Sequence, residues 1–161
     1  MKKTKKIINI CNKSNICRNN LNIKRHKMPQ FDDKTTHNFI KSLRKKNILV
    51  KKTTIDVRKL NPTQNQINYE AIKKLQRQYL KKKININKQT ILVSKDLYIL
   101  DGHHRWATLL LCIDNNDKCV KPNQKLNTSI SVYYINLSIK KILKIANKFE
   151  NVEFLKIGES K

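Results

Sequence analysis

The fold class this sequence predicts is a small α+β domain, a mixed sheet flanked by helices, and three observations predict it. With 161 residues the chain can bury one core and not two. Apolar spacing alternates between helical and strand-like stretches in the order α-β-α-ββ-α-β-α, and no segment repeats. β-branched runs bounded by turn residues mark strands between the helices.

The elements follow in order. Residues 1–28 hold nine Lys/Arg, no acid, and seven Asn or Ser among scattered isoleucines. They are expected to form a flexible basic arm, because so little apolar surface cannot offset chain entropy. Three readings stay open for it: a nucleic-acid-binding tail, an organelle-targeting leader, or an extension without function. The domain proper is expected over 29–150. Asp32 or Asp33 can cap a helix over 34–46 whose apolar side is Phe39, Ile40 and Leu43. Ile48-Leu49-Val50 and residues 53–57 are β-branched and read as strand. Leu60-Asn61-Pro62-Thr63-Gln64 breaks it, since proline biases Asn61 away from helix. A helix over 65–82 places Ile67, Ala71, Ile72, Leu75 and Tyr79 on one face. Residues 90–94 and 97–101 form a hairpin around Lys95-Asp96. A helix over 102–112, a polar loop over 114–127, a strand over 129–136 and a helix over 138–149 complete the domain. Residues 151–161 read as a C-terminal tail.

One stretch is written for chemistry. In Ile99-Leu100-Asp101-Gly102-His103-His104-Arg105-Trp106, a strand ends in an Asp-Gly turn that opens a helix. The first N–H groups of a helix lack intrahelical partners and favour anions. Gly102 lets backbone approach a ligand, and Arg105 offers a forked donor set suited to phosphate. Asp101 can hold Mg²⁺ or orient a histidine. His103 and His104 diverge, because i and i+1 do not share a helix face. They are expected to work as catalytic acid/base groups together with Asp101. Thr63 and Gln64 can cap the following helix or donate to phosphate. Trp106 reads as core rather than as a stacking platform for a base.

Composition adds a partner class. The net charge is +25 and the pI about 10.1, which favours salt-sensitive association with nucleic acid. Lysine, asparagine and isoleucine are all inflated, 30, 20 and 21 residues against 6 arginines. That bias points to an AT-rich source genome, a viral one included. Cys11, Cys17, Cys112 and Cys119 form no C-x-x-C, so neither a zinc site nor a disulfide framework is expected, and a reducing intracellular compartment is. No apolar run approaches the roughly 18 residues of a membrane span.

Two blocks carry a resemblance: Val57-Arg58-Lys59-Leu60-Asn61-Pro62-Thr63-Gln64, and the run from Ile91-Leu92-Val93-Ser94 to Asp101-Gly102-His103-His104-Arg105-Trp106-Ala107. Over about 53–136 the chain resembles the ParB/sulfiredoxin-like superfamily, in particular its small ParB-like nuclease-domain branch. The resemblance implies a compact α/β domain that binds nucleotide phosphates at Gly102 and Arg105, with Mg²⁺ and ATP or CTP in several branches. Nuclease action, nucleotide hydrolysis and phosphoryl transfer are the activities it implies. The chain also departs from its better-known relatives. His103 stands where sulfiredoxins carry a cysteine, and the Glu of segregation ParB proteins is missing after Gly102. Glu150 falls where those proteins place a metal-binding glutamate, and no room follows for a helix-turn-helix reader. The free-serine-kinase branch uses an early glutamate as base, for which only Glu70 and Asp56 stand nearby. The expected function is phosphate binding at residues 101–105, with Mg²⁺-dependent nuclease or NTP hydrolase activity. The alternatives are a non-catalytic nucleic-acid module and an ATP-dependent phosphotransferase.

Overall fold

The computed structural model describes residues 7–114, 119, 123 and 125–157. Its helices are α1 (Asp33–Lys45), α2 (Tyr69–Leu80), α3 (His103–Asp114) and α4 (Ile139–Ala146). Its strands are β1 (Val50–Asp56), β2 (Ile91–Ser94), β3 (Ile99–Asp101) and β4 (Ser129–Ile135). They form one sheet in the order β1-β4-β2-β3. β1 runs antiparallel to β4, β4 parallel to β2, and β2 antiparallel to β3. The mixed α+β class is therefore the one observed. The crossover through α3 delivers β4 parallel to β2, which a hairpin could not do.

Side-chain alternation builds a core on each face of the sheet. Ile91 and Val93 of β2 pack on one side with Ile99, Trp106, Leu109, Ile130 and Val132, beneath α2 and α3. Leu92 and Leu100 pack on the other with Phe39, Leu43, Ile139 and Ile142, beneath α1 and α4. β2 is buried along its whole length, as a central strand covered on both faces must be.

Caps set the helix starts. Asp32 accepts from the Thr35 N–H at 2.7 Å and opens α1. Asn68 accepts from the Glu70 N–H and opens α2 four residues later than the periodicity suggests. Residues 61–67 are held elsewhere: the Asn61 N–H donates to the Leu97 carbonyl, and the Ile67 N–H to Asn9 Oδ1. α4 begins where the Ile139 N–H donates to Asp96 Oδ1, and it stops at Ala146. Phe149 then turns back to meet Phe39 edge-on, with ring centroids 5.2 Å apart. Most of the polar loop expected over 114–127 lies outside the described residues.

The expected flexible arm is corrected over 7–28, which the structure lays against the domain. Ile10, Ile16, Cys17 and Met28 are buried. Backbone N–H groups of Ile10, Leu21, Tyr69 and Asn65 donate across to Ile67, Thr63, Ile8 and Ile23. Isoleucines too sparse to form a core of their own complete one that the domain supplies. Asn19 and Asn22 adopt positive φ at the bends, a conformation asparagine tolerates well. The C-terminal tail also touches the domain over 151–157: the Gln30 N–H donates to the Glu153 carbonyl at 2.8 Å, and Leu155 is buried.

The cysteines are a further correction. Cys11 pairs with Cys17 and Cys112 with Cys119, so the inference of a reducing compartment from unpaired thiols falls away. Each bridge closes a short loop, which constrains the unfolded chain by about 2 kcal/mol. Thermal melts with and without dithiothreitol should differ by roughly 10 °C for the two together. Identical melts would show that the bridges contribute nothing to stability.

Candidate functional site

β3 ends at Asp101, the chain turns at Gly102, and α3 starts at His103. Gly102 has φ +104°, and a Cβ there would stand 2.2 Å from Ile91 Cγ2 and 2.7 Å from Ile91 Cβ. Only glycine fits both the backbone and the packing against β2.

The Asp101 carboxylate accepts from Arg105 Nη2 at 3.1 Å, and the backbone N–H groups of Phe31 and Gly102 also favour its charged form. Burial pushes this carboxyl up to about 6 against the opposing pull of Arg105 and the backbone donors. Arg105 is also held through Nη1, which donates to the Thr90 carbonyl at 3.1 Å. The two side chains keep 18% and 27% of their surface, enough for a ligand to reach the pair.

The histidines face different elements, as their i, i+1 spacing demands. His103 Nε2 accepts from the Thr63 N–H at 3.0 Å, and His104 Nε2 from the Asn68 N–H at 3.1 Å. A backbone N–H can only donate, so both imidazoles carry their proton on Nδ1. Burial, then the charges of His104 and Arg25, push His103 down to about 3. Burial, then Arg25 and Arg105, do the same for His104. Both rings are neutral at pH 7 with Nε2 occupied. The expectation that they work as acid/base groups near neutrality is corrected: each holds an element in place and offers an Nδ1–H.

These groups border a cavity of about 530 Å³ between α2, the amino end of α3 and residues 25–31. Arg25, Lys74 and Arg105 line it together with both histidines and Gln64. Sequence reasoning missed Arg25, having assigned it to the arm. Its backbone N–H donates to Gln66 Oε1 at 3.0 Å, and burial lowers its pKa. The available signal was rarity: where lysine is the default cation, an arginine is a chosen residue.

The other expected site residues are placed as follows. Thr63 is fully buried and does not line the cavity, because its N–H serves His103 and its hydroxyl donates to the Ile99 carbonyl at 2.6 Å. Neither Thr63 nor Gln64 caps α2; Gln64 lines the cavity, and its amide donates to the Gln66 carbonyl. Glu150 is exposed at the turn after α4 and does not line the cavity with Asp101. Among the described residues no three His, Cys, Asp or Glu gather as a metal cluster. Of the expected magnesium ligands only Asp101 lines the cavity, its carboxylate already engaged by a guanidinium, and Glu70 is a second carboxylate on the lining. Trp106 is buried, its indole N–H donating to the Val57 carbonyl at 2.9 Å. Among the described residues no helix is long and apolar enough to cross a membrane.

No protein-family model matches the chain, nor does any curated protein or solved structure.

Proposed function

We propose that the cavity at the amino end of α3 binds the phosphate of a nucleotide or nucleic acid, and that the chain is a ParB/sulfiredoxin-like domain. The observation that carries this reading is the convergence of Arg25, Lys74 and Arg105 with two imidazole Nδ1–H donors at a helix start. Cations, neutral donors and the first N–H groups of α3 all suit a multiply charged oxyanion. The volume falls within the ordinary range for small-ligand sites, about 300–1,000 Å³.

Binding is better supported than cleavage. Neither histidine is free to take a proton at pH 7, and Asp101 would have to release Arg105 to act as a base. Magnesium enters this reading as the ion that nucleotide phosphates carry, with Asp101 and Glu70 the carboxylates on the cavity lining. A phosphotransferase is the second reading, with Glu70, which lines the cavity and pairs with Lys73 at 2.8 Å, as its carboxylate. Asp56 is held by Arg58 and Thr128 instead.

Thermal shift with nucleoside mono- and triphosphates, with and without Mg²⁺, tests the proposal. A ligand at 100 times its Kd should add about 2.7 kcal/mol, a rise of roughly 5–10 °C. Arg25→Gln should abolish most of that rise while leaving the ligand-free melt nearly unchanged. No rise with any nucleotide would overturn the reading. Turnover of NTP or DNA, lost in Asp101→Asn, would restore the enzymatic version.

A further inference from the structure

A second concavity adjoins the first. The groove between α1 and the sheet has a volume of about 1200 Å³. α1 lines it with Asp33 in its first turn and then with the basic His37, Lys41, Arg44 and Lys45, all exposed. Their spacing of three and four residues aligns them on the helix, with charge recurring about every 6 Å along the axis. Arg44 is fixed there, its Nη2 donating to the Val50 carbonyl at 3.2 Å. The floor is different in character. Tyr133 lies half-buried in it beside Leu92, and Lys52 Nζ stands 5.8 Å from the Tyr133 ring centroid. Phe31, Asp101 and Arg105 border both this groove and the phosphate cavity, so the two meet at the Asp101–Arg105 pair.

We infer that this groove is the track of a single-stranded polynucleotide, with phosphates along His37, Lys41 and Lys45 and a base on Tyr133. A mainly cationic wall facing a floor that presents the Tyr133 ring matches such a strand, because one side takes the backbone and the other offers a face to a base. A duplex satisfies only the wall, since its bases are already stacked on each other. An acidic peptide also satisfies only the wall, having no regular succession of flat rings. The net charge of +25 supplies the long-range attraction. Resting on the phosphate-binding reading, the continuity at Arg105 places one phosphate of the strand in the cavity. The polymer, rather than a free nucleotide, is then the cognate ligand.

Fluorescence anisotropy of a labelled twelve-residue oligothymidylate tests this, with a twelve-base-pair duplex as the comparison. Lys41→Glu/Lys45→Glu should raise the single-strand Kd at least tenfold in 0.1 M salt. It should also flatten the slope of log K against log salt by about 0.7 per lost phosphate contact. Lys140→Glu/Lys141→Glu makes the same charge change in the first turn of α4, outside the groove, and should shift Kd less than threefold. Tyr133→Leu should weaken single-strand binding about tenfold and leave the weaker duplex binding unchanged. Equal losses from the two Lys→Glu pairs, or equal affinity for duplex and single strand, would overturn the track. The mononucleotide thermal shift is read separately. If it persists while the track fails, the phosphate cavity stands. If it is absent while the strand still follows Lys41, Lys45 and Tyr133, the groove stands without its link to the cavity.

Discussion

Acidification from pH 7 to pH 4 is expected to remove about 4 kcal/mol of folding stability, and the two pocket histidines are the reason. Their folded-state pKa values of about 3 lie below the 6.5 of an unfolded histidine, so the unfolded chain binds more protons between those limits. The stability they lend is complete above pH 6.5 and is lost as pH falls, at about 1.4 kcal/mol per pH unit for each ring. Asp101 acts in the opposite sense. Its folded pKa of about 6 exceeds the unfolded value, so the folded state gains protons between about 6 and 4 and offsets one of the two rings. The expected profile is steep from 6.5 to 6, then shallower down to 4. For a domain with roughly 5–15 kcal/mol in hand, that is a large loss. Urea unfolding at pH 7, 5.5 and 4 measures it. His104→Gln keeps an acceptor near the Nε2 position without titrating and should remove one ring's share. A flat profile, or a slope untouched by that substitution, would refute the assignment of both rings as buried neutral acceptors.

Gly102→Ala should destabilise the fold by about 3–4 kcal/mol, which for a chain of this size lowers the melting temperature by roughly 10 °C. Two costs combine. Alanine at positive φ is strained by about 1–2 kcal/mol. The new methyl also stands 2.2 Å from Ile91 Cγ2, which forces β2 and the α3 turn apart at an overpacking cost of about 1–3 kcal/mol. A double-mutant cycle reads the part of the clash due to Cγ2, because Ile91→Ala removes that atom and leaves in place the backbone strain and the 2.7 Å approach to Ile91 Cβ. Non-additivity of at least 1 kcal/mol is expected. Full additivity would mean that the close approach to Cγ2 is not what demands glycine. Because Asp101 and Arg105 flank this turn, nucleotide-dependent stabilisation should fall further than the fold does.

Much of the fold was legible because its signals are local. Phe39, Ile40 and Leu43 announce the inner face of α1, Asp32 its cap, and Ile91-Leu92-Val93 a strand covered on both sides. The start of α2 misled because Ile67 falls on the helical period. Its N–H belongs to Asn9, 58 residues away, and no window around Ile67 contains that partner. The segment 7–28 was opaque for the same reason: its asparagines and isoleucines have no period of their own and acquire meaning only against residues 61–69 and α3. The candidate site shows the same division. Asp101, Gly102 and Arg105 could be singled out from their order on a strand-to-helix turn. The Nε2 partners of the two histidines could not, since Thr63 and Asn68 reach them through tertiary packing. That packing decides whether an imidazole takes protons or donates from a fixed tautomer.

The placement of residues 7–28 also fixes when the cavity proposed to bind phosphate comes into being. This segment is synthesised before the residues it packs on and brings Arg25, yet its seats are residues 61–69 and α3, which emerge much later. The opposite wall starts at His103, and β4, which closes the sheet beside β2, comes later still. Such pairings across long sequence separations form slowly and late. A nascent or half-folded chain therefore holds the cations without the cavity, and its affinity for polyanions is that of an unstructured basic polymer. On the proposed function, selective binding requires the last long-range closure, so the onset of nucleotide protection during refolding should coincide with the slowest folding phase.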